Sequence, residues 1–211
     1  MSHTLHRSGS EESLKNDFVI LTMGAQGYNR DGCAKKQVKI AEIFLKHNAI
    51  NCGILGLEGE LTSDRLREAL ETIPDSAVTH GVFNNERDLT ECLTELKAAD
   101  LGLSIVVSGL FDRVHECCRE AGIKPHTVNT SMGIWGNVAE KLPADERIRD
   151  ISSMCGHGML PFTLVEDWVK KIKSGRVTPA EAAGKLNFQC HCHIFNRERA
   201  ARIFAELASE H

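Results

Sequence analysis

The chain has 211 residues, 42% hydrophobic and 26% charged, a composition that excludes wholesale disorder and a fibrous repeat. Twenty-five Lys and Arg against 29 Asp and Glu leave a formal net charge of −4, so no basic field exists to draw in a nucleic-acid backbone. No apolar run approaches the roughly 20 residues of a membrane span, and residues 1–16 lack the apolar stretch of a secretory leader. The expectation is a cytoplasmic chain with neither nucleic-acid nor membrane partner, for which a small-molecule ligand and homo-oligomerisation stay open.

Residues 1–16 read as a polar N-terminal arm with room for one short ordered piece. Phe18 to Met23 is a continuous apolar run of strand length, followed by the glycine-punctuated loop Gly24 to Gly32. From Cys33 to His47, Val38, Ala41 and Leu45 fall on one face, widened by Ile40, Ile43 and Phe44, which is helical spacing. Asn51 to Leu57 reads as a second strand. A helix follows, capped around Thr62–Asp64, with Leu66, Ala69, Leu70 and Ile73 inward and Pro74 ending it. Ala77 to Phe83 is a third strand. Glu86 to Ala99 is a helix burying Leu89, Cys92, Leu93 and Leu96. Leu101 to Val107 is a fourth strand and Phe111 to Ala121 a helix stopped by Gly122. His126 to Met132 is a fifth, less apolar candidate strand.

Strand and helix alternating in this way predict an α/β body over 17–140, with a mostly parallel sheet of four to five strands flanked by helices. From about Lys141 the pattern becomes helical, over Phe162 to Lys173, from Thr178 and from Asn196. Thr178-Pro179-Ala180-Glu181 combines an N-cap, a proline at the first helical position and a capping-box glutamate. Residues 141–211 are therefore expected to form a helical C-terminal subdomain, packed with the body into one compact unit.

Cysteine and histidine are the unusual feature, eight and ten respectively. In a reducing compartment, clustered thiols and imidazoles point to metal or thiol chemistry. Cys33, Cys52 and Cys92 stand alone and read as small buried hydrophobes. Cys155 and His157 sit in Met154-Cys-Gly-His-Gly-Met159, and Cys190, His191, Cys192 and His193 are consecutive. Thiolate and imidazole are the donors zinc takes in four-coordinate sites. The candidate ligands are thus Cys155, His157, Cys190, Cys192 and His193, with His191 as a substitute. C-x-C and C-x-H differ from the usual C-x₂-C knuckle. An iron–sulfur cluster is the other metal reading, drawing further thiolates from Cys117 or Cys118. Without a metal, Cys155 beside His157 could be an activated thiol with Cys190 and Cys192 as resolving partners. Plain packing of these cysteines is the third alternative.

A parallel sheet would collect a ligand at the carboxyl ends of its strands. Gly24, Gly27 and Arg30 follow the first strand, Asn84 the third, Ser108 and Gly109 the fourth, and Ser131 the fifth, making a polar rim able to bind a small ligand or cofactor. The loop after the first strand opens a helix, so its N–H groups could hold an anion. Neither the dinucleotide nor the P-loop fingerprint occurs. Weaker candidates are His115 beside Cys117 and Cys118, His126, the arm residues His3 and His6, and the pair Glu58 and Glu60. The reading that follows is a metal-binding protein, zinc or iron–sulfur, acting either as a metal-dependent or redox enzyme on a small molecule or as a metal-pinned scaffold. The alternatives are a non-metal ligand-binding module or enzyme using the rim, and a thiol-redox protein.

Overall fold

The structure is a computed structural model and describes residues 7–55, 57, 59–125 and 140–210. In chain order its elements are α1 (Glu11–Leu14), β1 (Phe18–Met23), α2 (Cys33–Lys46), β2 (Asn51–Ile54), α3 (Leu66–Thr72), β3 (Val78–Phe83), α4 (Glu86–Ala99), β4 (Ser104–Ser108), α5 (Phe111–Glu120), α6 (Glu146–Ser153), α7 (Phe162–Lys173), α8 (Pro179–Gln189) and α9 (Arg197–Ser209). Among the described residues no helix is long and apolar enough to cross a membrane.

The expected parallel sheet is overturned. The four strands lie in the order β2-β3-β1-β4, and all three neighbouring pairs are antiparallel: β1 with β3, β1 with β4, and β2 with β3. Helices α2 and α4 each join two strands of like direction that are not neighbours, whereas α3 joins the antiparallel neighbours β2 and β3. The place between β1 and β2 is filled by β3, and that between β3 and β4 by β1. This is the split-βαβ arrangement. The expected strand over 126–132 lies outside the described residues.

Continuous apolar strands were read as parallel because parallel sheets are covered on both faces. This antiparallel sheet is covered on both faces too. Phe18 and Ile20 of β1, Cys52 and Ile54 of β2 and Phe83 of β3 pack with α2, α4 and α5 in one core. Val19 and Leu21 of β1 and Val82 of β3 pack into a second core with α6 to α9. Successive side chains point to opposite faces, so a strand between two helical layers must be apolar at every position. Strand direction leaves no trace in such a run.

Several elements depart from the expected bounds for local reasons. The capped helix expected after Thr62 begins as a 3₁₀ turn, Ser63–Arg65, with no side-chain cap, and Leu70 is exposed rather than inward. The helix ends where Ile73 turns extended ahead of Pro74, as the residue before proline tends to do. Helix α6 was not anticipated. It is eight residues long and shows only Ile148 and Ile151 as an apolar signal, though Asp145 caps it through the Arg147 N–H.

The N-terminal arm is built into the second helical layer. Asp17 and Arg199, both fully buried, form an ion pair of 2.8 Å. Arg199 also donates to Ser13 Oγ at 2.9 Å and to the Ser8 carbonyl, while Asn196 donates to Asp17 at 3.1 Å and to the Asn16 carbonyl at 3.0 Å. Removing one partner of a buried pair costs about 3–5 kcal/mol, because the other charge is left unpaired away from water.

Candidate thiol site

The two sulfur-bearing segments meet. Helix α6 ends at Met154, and the turn that follows presents Cys155; helix α8 ends at Cys190, and a tight turn carries the chain to α9. That second turn is closed by the His193 N–H donating to the Cys190 carbonyl at 2.7 Å, with His193 at φ +54. Cys190 Sγ lies 3.7 Å from Cys192 Sγ, and Cys155 belongs to the same buried cluster. Cys155, Cys190 and Cys192 are 3%, 0% and 7% exposed, so three thiols from segments 35 residues apart share one buried place beneath the sheet's second face.

Their hydrogen bonds divide the three electrostatically. The Cys190 S–H donated to Cys155, helped by the N–H groups of Met159 and His157 and opposed by burial, brings the Cys155 thiol down from 9.0 to about 6. Cys190 moves the other way, pushed up by holding its proton against Cys155 and Cys192 and by burial. Within this pair the Cys155 thiol is lowered and the Cys190 thiol raised, because Cys190 acts as the donor.

The histidines border this cluster without all entering it. His157 and His191 are exposed, whereas His193 is half-buried, and its Nδ1 is buried with no hydrogen-bond partner among the described residues. Among the described residues, no group of three or more His, Cys, Asp or Glu is placed so that it could hold a metal ion. Cys117 and Cys118 cannot join the three thiols: with Cys52 and Cys92 they belong to the core on the opposite face of the sheet. None of the eight cysteines is in a disulfide.

The turn bearing Cys190 and Cys192 is tied to the sheet by Asn51 at the start of β2. Fully buried, Asn51 donates to the carbonyls of His193 and Phe195, the latter at 3.1 Å, and to Asn187 Oδ1 at 3.0 Å. One residue overlooked in the sequence is His80. It alternates with Val78 and Val82 on β3, so it faces the same helical layer, and it is 2% exposed. Its ring lies over Gly53, where a Cβ would come within 2.5 Å of Cε1; glycine is the residue that permits this approach. A histidine inside an otherwise apolar strand was the available signal.

The expected ligand rim divides. Because β3 and β4 run against β1, Gly24, Gly27 and Arg30 lie beyond the Met23 end of β1, while Asn84, Ser108 and Gly109 lie beside its Phe18 end. Six strand residues separate the two groups, about 17 Å. Ser131 and His126 lie outside the described residues, as do His3, His6 and Glu58. The anion site foreseen in the loop after β1 is filled from within: Gly32 and Ala34 at the start of α2 donate their N–H groups to Asp75, each at 2.9 Å. Asn84 donates to Glu198, and a Cβ on Gly109 would meet the Phe18 ring at 2.6 Å. Two surface depressions, about 430 Å³ beside His115, Arg119 and Lys124 and about 400 Å³ beside Asp145, Arg147 and Lys170, include none of the rim or thiol residues.

Comparison with known proteins finds no matching family model, no similar curated protein and no similar solved structure.

Proposed function

We propose that this is a cytoplasmic metal-binding protein in which Cys155, Cys190 and Cys192 supply thiolates to a single zinc ion, with His193 as the fourth donor. The observation that carries the reading is the gathering of three buried cysteines from two separate turns in one cluster. Three thiolates and an imidazole are a zinc set, and the buried, unpartnered Nδ1 of His193 has lone-pair capacity that nothing nearby uses. Turning the sulfurs onto one point requires side-chain rotation between staggered wells, within reach of a cysteine. Eight cysteines with no disulfide among them accord with a reducing compartment. An iron–sulfur centre has less support, since no fourth cysteine lies on this face. As a closed Cys₃His site, the ion would pin the end of α6 to the turn before α9; with its fourth position open it would be a Lewis acid for a small substrate.

Elemental analysis of the purified protein tests this. The expected result is about one equivalent of zinc per chain, lost together with thermal stability in Cys190→Ser and weakened in His193→Ala. Metal-free protein that stays fully stable, with Cys190→Ser unchanged, would sink the reading. Iron with acid-labile sulfide and visible colour would move it to a cluster.

A thiol-redox reading has one specific observation in its favour, the 3.7 Å approach of Cys190 Sγ to Cys192 Sγ beside Cys155, whose thiol is lowered to about 6. It predicts a protein without metal whose Cys155 is alkylated half-maximally near pH 6, faster above that pH because the thiolate is the reactive form.

A further inference from the structure

The N-terminal arm touches both cysteine-bearing segments, and it does so through two consecutive residues. Arg7 donates through Nη2 to the Ile194 carbonyl at 2.7 Å, two residues past Cys192. Ser8 accepts nothing from that turn; its N–H donates to Ser153 Oγ at 2.9 Å and its hydroxyl to Asp150 Oδ1 at 2.8 Å, on the helix that ends just before Cys155. The arm is itself anchored, since Arg7 also pairs with Asp17 and Arg199 holds the Ser8 carbonyl. Gly9 makes that hold possible: a Cβ there would fall 2.2 Å from Arg199 Nη2, and Arg199 is fully buried with no room to yield.

We infer that residues 7–17 form a strap that sets the separation of the two sulfur-bearing turns, with Arg7 and Ser8 as positioning residues for the thiol site. The inference rests on the reading of Cys155, Cys190 and Cys192 as one site. The sheet side of that site is already fixed by Asn51, which grips the 190–195 turn and Asn187 of α8. None of these hydrogen bonds goes to α6. The arm supplies the missing tie between the turns, and it does so with a guanidinium and a hydroxyl whose geometry fixes distance as well as attachment. Loss of the strap frees the α6 end relative to the 190–195 turn, so the sulfurs spend less time in contact.

The test uses the full chain carrying Arg7→Ala with Ser8→Ala, alongside Arg7→Lys. Two quantities are read: zinc retained after dialysis, and, on metal-free reduced protein, bridging of Cys155 to Cys190 by dibromobimane, mapped by peptide mass. Because bridging depends on the effective concentration of one thiol at the other, the double variant is expected to lose it by roughly fivefold or more. Arg7→Lys, which retains a cationic donor for the Ile194 carbonyl, should recover most of it. Thr178→Ala, destabilised at a helix cap the strap does not touch, serves as the control and should bridge like wild type. Wild-type bridging in the double variant overturns the strap. Should the double variant fail to fold, Ser8→Ala alone decides by the same yield. Wild-type protein without zinc but with strap-dependent bridging would discard the zinc reading and keep the strap; zinc-loaded protein indifferent to the double variant would do the reverse.

Discussion

A helix N-terminus attracts whatever negative group can reach it, and here Asp75 reaches α2 before any ligand could. Its carboxylate accepts from Ala34 and Gly32, and these two backbone bonds hold it below its ordinary 3.8. A depressed carboxyl stabilises the fold above its unfolded pKa, and that contribution is lost as pH falls through the folded value. Asp75→Asn should therefore unfold more easily at neutral pH and show a flatter acid limb, the two proteins converging once the pH has fallen through the lowered value of Asp75. Urea midpoints across about pH 2 to 6 check this, and parallel acid limbs would refute it. The same reach explains why the glycine loop was misjudged: Asp75 is 41 residues from Ala34, and its placement depends on the Pro74 turn. His80 was missed for the opposite reason. Its local signal was plain, but its meaning depends on Gly53 of the neighbouring strand.

Helix ends were the most legible elements because their chemistry is contained within four residues. Thr178 accepts from the Glu181 N–H while the Glu181 carboxylate accepts from the Thr178 N–H, a closed capping box with Pro179 at the first helical position. Asn196 and Asn85 cap α9 and α4 more simply, each side chain accepting one N–H, from Arg199 and Asp88 respectively. Thr178→Ala is expected to cost about 1 kcal/mol of stability, read from urea unfolding; a loss below about 0.3 kcal/mol would mean that the proline alone fixes the helix start. Helix α6 shows the limit of such reading. Eight residues with two apolar positions carry too little periodicity to stand out, although this short helix delivers Cys155 and receives Ser8.

At the scale of the molecule, the sheet is a septum between two cores. Ile20 faces one and Leu21 the other, at 0% and 1% exposure. Ile20→Ala and Leu21→Ala should each cost about 2–5 kcal/mol, since both leave cavities in packed layers. A sheet with one wet face would instead show one large and one small loss, and a cost below about 1 kcal/mol at either position would contradict the two-sided packing. This septum also sorts the cysteines. Cys52, Cys92, Cys117 and Cys118 lie on one side and Cys155, Cys190 and Cys192 on the other, which confines any thiol chemistry of the second group to its own face.

The sequence by itself determined where most of the described helices and strands fall, though not α6, most of their apolar faces, and which cysteines occur in tight local pairs, because periodicity, caps and spacing act over a few residues. Tertiary structure alone decided strand direction, the split of the supposed rim to opposite sheet ends, the filling of the α2 anion site by Asp75, and the docking of the arm across both sulfur-bearing turns. The physical reason is the same in each case. Burial on two faces demands apolar side chains whichever way a strand runs, and contacts between distant segments are fixed by packing rather than by the residues on either side of them.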